Sequence, residues 1–204
     1  MESYHITLRN FKINAIILII LFSFCHTYTK AQFLKSLIPE EAVAQYGGSI
    51  GYASAGFGYN FFKEDKGSLD FTYGYVPESK GGKLHIFAGK FSYKPLKIKV
   101  KDWANIYPLN PGIFVSYHPA KQFAKWNKYQ YPRGYYWWSK SIRYHVSLST
   151  EAKIKMAPSS KIEAIGIYSE LNTNDLYLVS WYKNQDSMPF WEIVKLGYGV
   201  RVYF

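Results

Sequence analysis

The chain has 204 residues, enough for one domain and short of what two normally need. Aromatic residues make up 20% of it (20 Tyr, 14 Phe and 6 Trp), yet mean hydropathy is only −0.20, which excludes a helical membrane protein. The formal charge of +11 points to anionic partners, and the single cysteine, Cys25, excludes a disulfide framework or a thiolate zinc site.

The first segment, residues 1–31, reads as a secretory signal. Arg9 and Lys12 supply the positive start, Ile13 to Phe24 is an apolar run, and Thr29 and Ala31 stand at −3 and −1 for cleavage before Gln32. The apolar run is about a dozen residues, too short to span a bilayer comfortably; an uncleaved anchor helix is the alternative. Cys25 could mark a lipid anchor, but Phe24 precedes it where a small residue is expected. Cleavage leaves residues 32–204 without cysteine and, with Arg9, Lys12, Lys30 and Glu2 removed, a formal charge of about +9. A basic exported chain is drawn to anionic headgroups, and export argues against nucleic acid.

Residues 32–46, with Pro39-Glu-Glu41, read as an irregular or briefly helical lead-in. Period-two alternation then dominates. Two stretches are clear. In Ser68–Val76, Leu69, Phe71, Tyr73 and Tyr75 share one face, opposite Ser68, Asp70, Thr72 and Gly74. In Ser141–Met156, Ile142, Tyr144, Val146 and Leu148 oppose Arg143, His145, Ser147 and Ser149, and the pattern continues with Glu151, Lys153 and Lys155 on the wet face. Six more segments read as strands: Gly48–Phe61, Leu84–Lys94, Tyr107–His118, Lys161–Leu171, Asp175–Lys183 and Trp191–Phe204. Turn chemistry separates them at Lys63–Gly67, Pro77–Gly82, Ala157–Ser160, Asn172–Asn174 and Asn184–Ser187.

The fold class expected from this pattern is all-β: an antiparallel up-and-down transmembrane β-barrel of about eight strands. Alternation alone also fits a soluble barrel, which is apolar inside rather than outside. The full charges on the wet face of Ser141–Met156, and a length sufficient for a tilted crossing, favour the membrane case. So does the last strand. Leu196, Tyr198, Val200, Val202 and Phe204 fall on one face, and Lys195, Gly197, Gly199, Arg201 and Tyr203 on the other. That strand resembles the closing strand of Gram-negative outer-membrane barrels. The resemblance implies that Tyr198, Val200, Val202 and Phe204 form a signal for the barrel-assembly machinery. At the level of pattern, residues 32–204 resemble small outer-membrane barrels of the OmpA/OmpX type, which implies an outer-membrane location among lipids and lipopolysaccharide. Counting strands back from a periplasmic C-terminus puts the long connection Pro119–Trp138 on the periplasmic side, where such barrels have short turns.

The inward face carries the candidate chemistry. Asp70, Lys90, Arg143, His145, Glu151, Lys153 and Arg201 are expected to satisfy one another as a polar network in the lumen, because an eight-stranded barrel is filled by its own side chains. Gly56, Gly58, Gly197 and Gly199 would make room there for large side chains such as Tyr52 or Arg201. His145 and Ser147, two apart on one face, with Glu151 further along and Glu163 or Glu170 on the next strand, hold the residue types of an acyl-transfer triad. The His-x-Ser spacing is similar to that of outer-membrane lipid A deacylases; position 148 is Leu where that family has Asn, and its catalytic groups face lipid. His85, His118 and His145 lack the local spacing of a metal site, and no cofactor is implied. Trp126, Tyr135, Tyr136, Trp137 and Trp138 read as an interfacial aromatic girdle, with glycan or headgroup stacking as the alternative. The expected role is therefore a non-enzymatic envelope or surface-interaction barrel, with a lipid A acyl hydrolase as the other reading.

Overall fold

The computed structural model describes residues 37–119 and 141–204, and the barrel lies within Pro39–Phe204. The segment 1–31 and the aromatic residues Trp126, Tyr135, Tyr136, Trp137 and Trp138 lie outside the described residues.

Among the described residues nine strands follow in chain order: β1 (Glu41–Gly47), β2 (Ala53–Phe61), β3 (Gly67–Val76), β4 (Leu84–Tyr93), β5 (Ile98–Val100), β6 (Ala104–Tyr117), β7 (Ile142–Lys155), β8 (Ala164–Asn174) and β9 (Lys195–Tyr203). Eight of them form the wall, each antiparallel to its neighbours, in the order β1-β2-β3-β4-β6-β7-β8-β9. Strand β1 then closes on β9, with Ala42 opposite Val202 and Tyr46 opposite Tyr198. Short β5 pairs only with the start of β6. Closure satisfies the backbone groups that an open sheet would leave at its edges.

The polarity of the wall is inverted relative to a water-soluble barrel. Tyr144, Ile113, Ile167 and Tyr198 are all more than half exposed on the outside, with Leu69 and Val200 on the same outer face. Inside, Glu41, Asp70, Lys90, Glu151, Glu170 and Arg201 are each 3% exposed or less. The buried apolar cluster is small: Ile50, Ala88 and Phe114. This is the arrangement of a transmembrane β-barrel, where the apolar face meets acyl chains and the polar groups are hidden within.

Two elements differ from the sequence reading. The lead-in ending at position 46 contains β1. Its outward residues are Ala42, Ala44 and Tyr46, and its inward ones Glu41, Val43 and Gln45, so small and polar residues give little contrast between faces. Residues 48–52, expected to begin a strand, form the β1–β2 turn, where Gly48 (φ +77°) and Gly51 (φ +138°) take backbone conformations that other residues rarely adopt. The second difference is Asp175–Lys183, which is not a strand but helix α1. Asn174, expected in a turn, ends β8 and caps that helix: its side-chain oxygen accepts a 2.9 Å hydrogen bond from the Tyr177 amide. Residues 190–193 form a single 3-10 turn, so β9 begins at Lys195.

Gaining one strand and losing another keeps the count at eight but moves the connections. The terminal end of the barrel carries Glu41 and Tyr203 and the β2–β3, β4–β6 and β7–β8 connections. The far end carries the β1–β2, β3–β4 and β8–β9 connections. The long β6–β7 connection also begins and ends there, where the His118 amide donates to the Ser141 carbonyl at 2.8 Å. The connection that holds Pro119–Trp138, expected on the same side as the C-terminus, thus leaves and rejoins the barrel at the opposite end.

Candidate functional site

Inward-facing residues of eight strands converge in the lumen, and their charges organise it. Arg201 on β9 is the hub. Its guanidinium donates to Asp70 Oδ1 at 2.8 Å and Oδ2 at 2.5 Å, and also to Glu41 Oε1. Its Nε lies 3.9 Å from Glu151 Oε2. Planar two-pronged contacts of this kind suit arginine and a carboxylate. Lys90 Nζ donates to Glu170 Oε2 at 2.9 Å and lies 3.9 Å from Asp70 Oδ2. Lys94 Nζ lies 3.1 Å from Glu151 Oε2 and donates to the Tyr203 hydroxyl at 2.9 Å, which in turn donates to Glu151. From Glu170 the chain continues through Asn172 (3.1 Å) to Ser49 (2.5 Å) at the far end. Tyr168 donates to Gln45 at 2.9 Å and lies beneath the Lys90 and Arg201 cations.

Glycines create the space for this column. A Cβ on Gly58 would stand 2.5 Å from Glu41 Oε1 and 2.7 Å from Asp70 Oδ1, and one on Gly199 would collide with the Tyr168 ring. The inward glycines therefore make room for Arg201's partners and for Tyr168. Tyr52 is not among the occupants: it is exposed and packs edge-on against Tyr46 at 4.9 Å.

Of the residues expected in the lumen, Asp70, Lys90, Glu151 and Arg201 meet in one network, while His145 bonds to Ser116 instead. Lys153 sits apart, 3.6 Å above the Tyr203 ring and 3.8 Å from Asp65 at the terminal end. Arg143 is at the far end, 4.0 Å from Asp175. Glu41, Lys94, Tyr168 and Tyr203 are members that the sequence reading did not single out. Lys94 and Tyr203 hold inward positions in the alternation, but their meeting across the barrel depends on strand register.

The three residues of the candidate triad are not assembled. His145 Nε2 is 2.8 Å from the Ser116 hydroxyl on β6, which also lies 3.2 Å from His118 Nε2. His145 stacks on Phe114 with centroids 4.0 Å apart, and its Nδ1 has no hydrogen-bond partner among the described residues. Ser147 faces the gap left by Gly112. Glu151 is six residues beyond His145, roughly 20 Å along the strand, and is held by Lys94, Arg201 and Tyr203. His118, just past the end of β6, has its imidazole pKa pushed down by burial and then by the Arg143 guanidinium. A cavity of about 300 Å³ opens at this end among Ser49, His118, Arg143, His145, Asn174 and Lys195. His85 is elsewhere, bonded to the Tyr73 hydroxyl at 2.6 Å, and the described residues contain no cluster of three or more potential metal ligands.

No family model matches the chain. No curated protein matches it. Among solved structures it is similar to a chain described as "De novo design of transmembrane beta-barrels", at 11% identity and a TM-score of 0.35, covering 83% of this chain and 99% of that one. An overlap this loose gives no residue correspondence, and the strand pairing above stands without it.

Proposed function

We propose that the chain is an outer-membrane β-barrel of the small OmpA/OmpX type, with a filled lumen and a structural or surface-interaction role in the cell envelope. One observation carries this reading: the wall is apolar outside and ionic inside, which is stable in a bilayer and unfavourable in water. The polar column from Lys94 to Ser49 fills the lumen, so the barrel does not act as an open pore. Export by the segment 1–31 would deliver it to the barrel-assembly machinery, to which Tyr198, Val200, Val202 and Phe204 are presented on the outward face of β9. In the membrane, its neighbours are lipids and lipopolysaccharide. The far end, where the β6–β7 connection begins and ends and α1 lies, then faces the cell exterior, and surface contacts are made there.

The test is fractionation with heat modifiability. The protein should be recovered with outer membranes and should change electrophoretic mobility on boiling in detergent. Recovery from the soluble periplasm, without a mobility change, would refute the reading. An acyl hydrolase built on His145 and Ser147 makes a different prediction: deleting the protein would change the lipid A mass spectrum, and Ser147→Ala would reproduce the change. With His145 bonded to Ser116 instead of Ser147, we expect identical spectra in all strains.

A further inference from the structure

The outer wall is not evenly covered. Two depressions, of about 440 Å³ and 600 Å³, open on it and share Gly89 and Val115. The first runs between Phe91, Ile113, Tyr144 and Val146 up to Leu178 and Asp175 of α1. The second lies between Phe57, Phe71, Tyr73, Phe87 and Tyr117. Gly89 sits midway along β4, opposite Phe71 on β3 and Val115 on β6.

Gly89 stands apart from the other glycines of these strands. At every other one, an added Cβ would come within 3.0 Å of another atom, so packing explains the missing side chain. At Gly89 the nearest atom would be Phe71 Cε1 at 3.8 Å, ordinary contact. Glycine weakens a strand, and nothing in the barrel requires one here. What the glycine does is keep the floor of a shared depression low on the face that meets hydrocarbon.

We propose that these joined depressions hold one lipid acyl chain, seated over Gly89 across the outer faces of β3, β4 and β6, with its polar end at the α1 rim beside Asp175. The inference rests on the barrel lying in a bilayer. Three features favour a lipid chain over a second copy of the protein. The lining is almost wholly apolar. The depressions are concave and expose far less than the roughly 800 Å² per partner that a stable protein interface buries. Polar character is found at the α1 end, where Asp175 lines the first depression and lies 4.0 Å from Arg143, which lines the cavity beside His118, as a chain leading to a headgroup requires. The chain could belong to a phospholipid or to lipid A; both present the same alkyl chemistry.

The experiment is native mass spectrometry of the purified barrel in detergent, titrated in separate arms with phosphatidylethanolamine and with lipid A. Wild type should retain one lipid per barrel under activation that strips the rest. Gly89→Leu, which fills the floor, should lower that occupancy at least tenfold, and Ala152→Leu on β7, outside both depressions, should leave it unchanged. Retention in one arm or in both identifies the source of the chain. Gly89→Val is the second filling variant, and the boiling-dependent mobility shift reports folding for each. Equal lipid retention by wild type and a folded Gly89→Leu would overturn the proposal. So would a wild-type dimer that Gly89→Leu dissociates, or failure of both filling variants to fold, since the space at Gly89 would then not be free. A barrel that is soluble and shows no mobility shift would instead refute the membrane reading.

Discussion

Replacing Arg201 with Met tests what holds the lumen together. The side chain is buried, and its guanidinium satisfies both oxygens of Asp70 and one of Glu41, with Glu151 at 3.9 Å. Methionine restores much of the volume but removes the charge, leaving Asp70 and Glu41 facing each other in a buried site. Breaking a buried ion pair from one side costs about 3–5 kcal/mol, because the remaining charge keeps its desolvation penalty. At 1.4 kcal/mol per decade that is roughly two to three and a half powers of ten in the folding equilibrium. Urea unfolding in lipid vesicles, followed by tryptophan fluorescence, should show the midpoint fall accordingly. Arg201→Lys should recover little, since an ammonium cannot reproduce the two parallel contacts to Asp70. Adding Asp70→Leu to Arg201→Met should recover part of the loss, because the stranded carboxylate goes with it, and a coupling of about 0.5–3 kcal/mol is expected. A loss below about 1 kcal/mol for Arg201→Met would refute this reasoning, for that is the range of a water-screened surface pair.

Two further substitutions probe the wall and the far end. Ile167→Lys places a charge on the outward face midway along β8: it should cost about 2–4 kcal/mol in vesicles, whereas on a water-facing surface it would fall within about 0.5 kcal/mol of neutral. Asn174→Ala removes the side-chain acceptor for the Tyr177 amide, so α1 should lose about 1 kcal/mol, read as faster hydrogen exchange at Tyr177 with the barrel's boiling-dependent shift intact.

How much could be read from the sequence depended on contrast between alternate positions. In β3 the outward residues are Leu69, Phe71, Tyr73 and Tyr75, and the inward ones Ser68, Asp70, Thr72 and Gly74. The same contrast runs through β7 and β9; β3 and β7 stand as expected, and β9 does so from Lys195 onward. In β1 it vanishes, because Ala42 and Ala44 face outward while Val43 faces in. Helix α1 misled for the opposite reason: Leu176, Tyr177, Leu178 and Val179 are a continuous apolar run that fits either period, and Asn174 suits a turn as well as a cap. The lumen was legible as composition but not as connectivity. Asp70, Lys90 and Arg201 announce a charged interior, whereas the contacts of Arg201 with Glu41, and of Lys94 with Glu151, follow from how the strands are staggered around the barrel.

The exchange of β1 for α1 shows why strand number is a weak guide to topology. Both readings contain eight crossings, so length, composition and closure cannot distinguish them. They differ in parity between the chain's end and the β6–β7 connection: three strands, β7, β8 and β9, lie between them, where the sequence reading had four. An odd number of crossings puts that connection at the end opposite Phe204. The two longest connections, β6–β7 and β8–β9, then begin and end on the same side of the barrel, and the terminal end carries shorter ones. The same shift removes residues 175–183 from the wall and sets them against the rim of β7 and β8, where Leu178 bounds the depression over Gly89 and Leu176 lines the cavity beside His118. One misassigned element thus concealed both which end of the barrel carries its two longest connections and the boundary of the depression over Gly89.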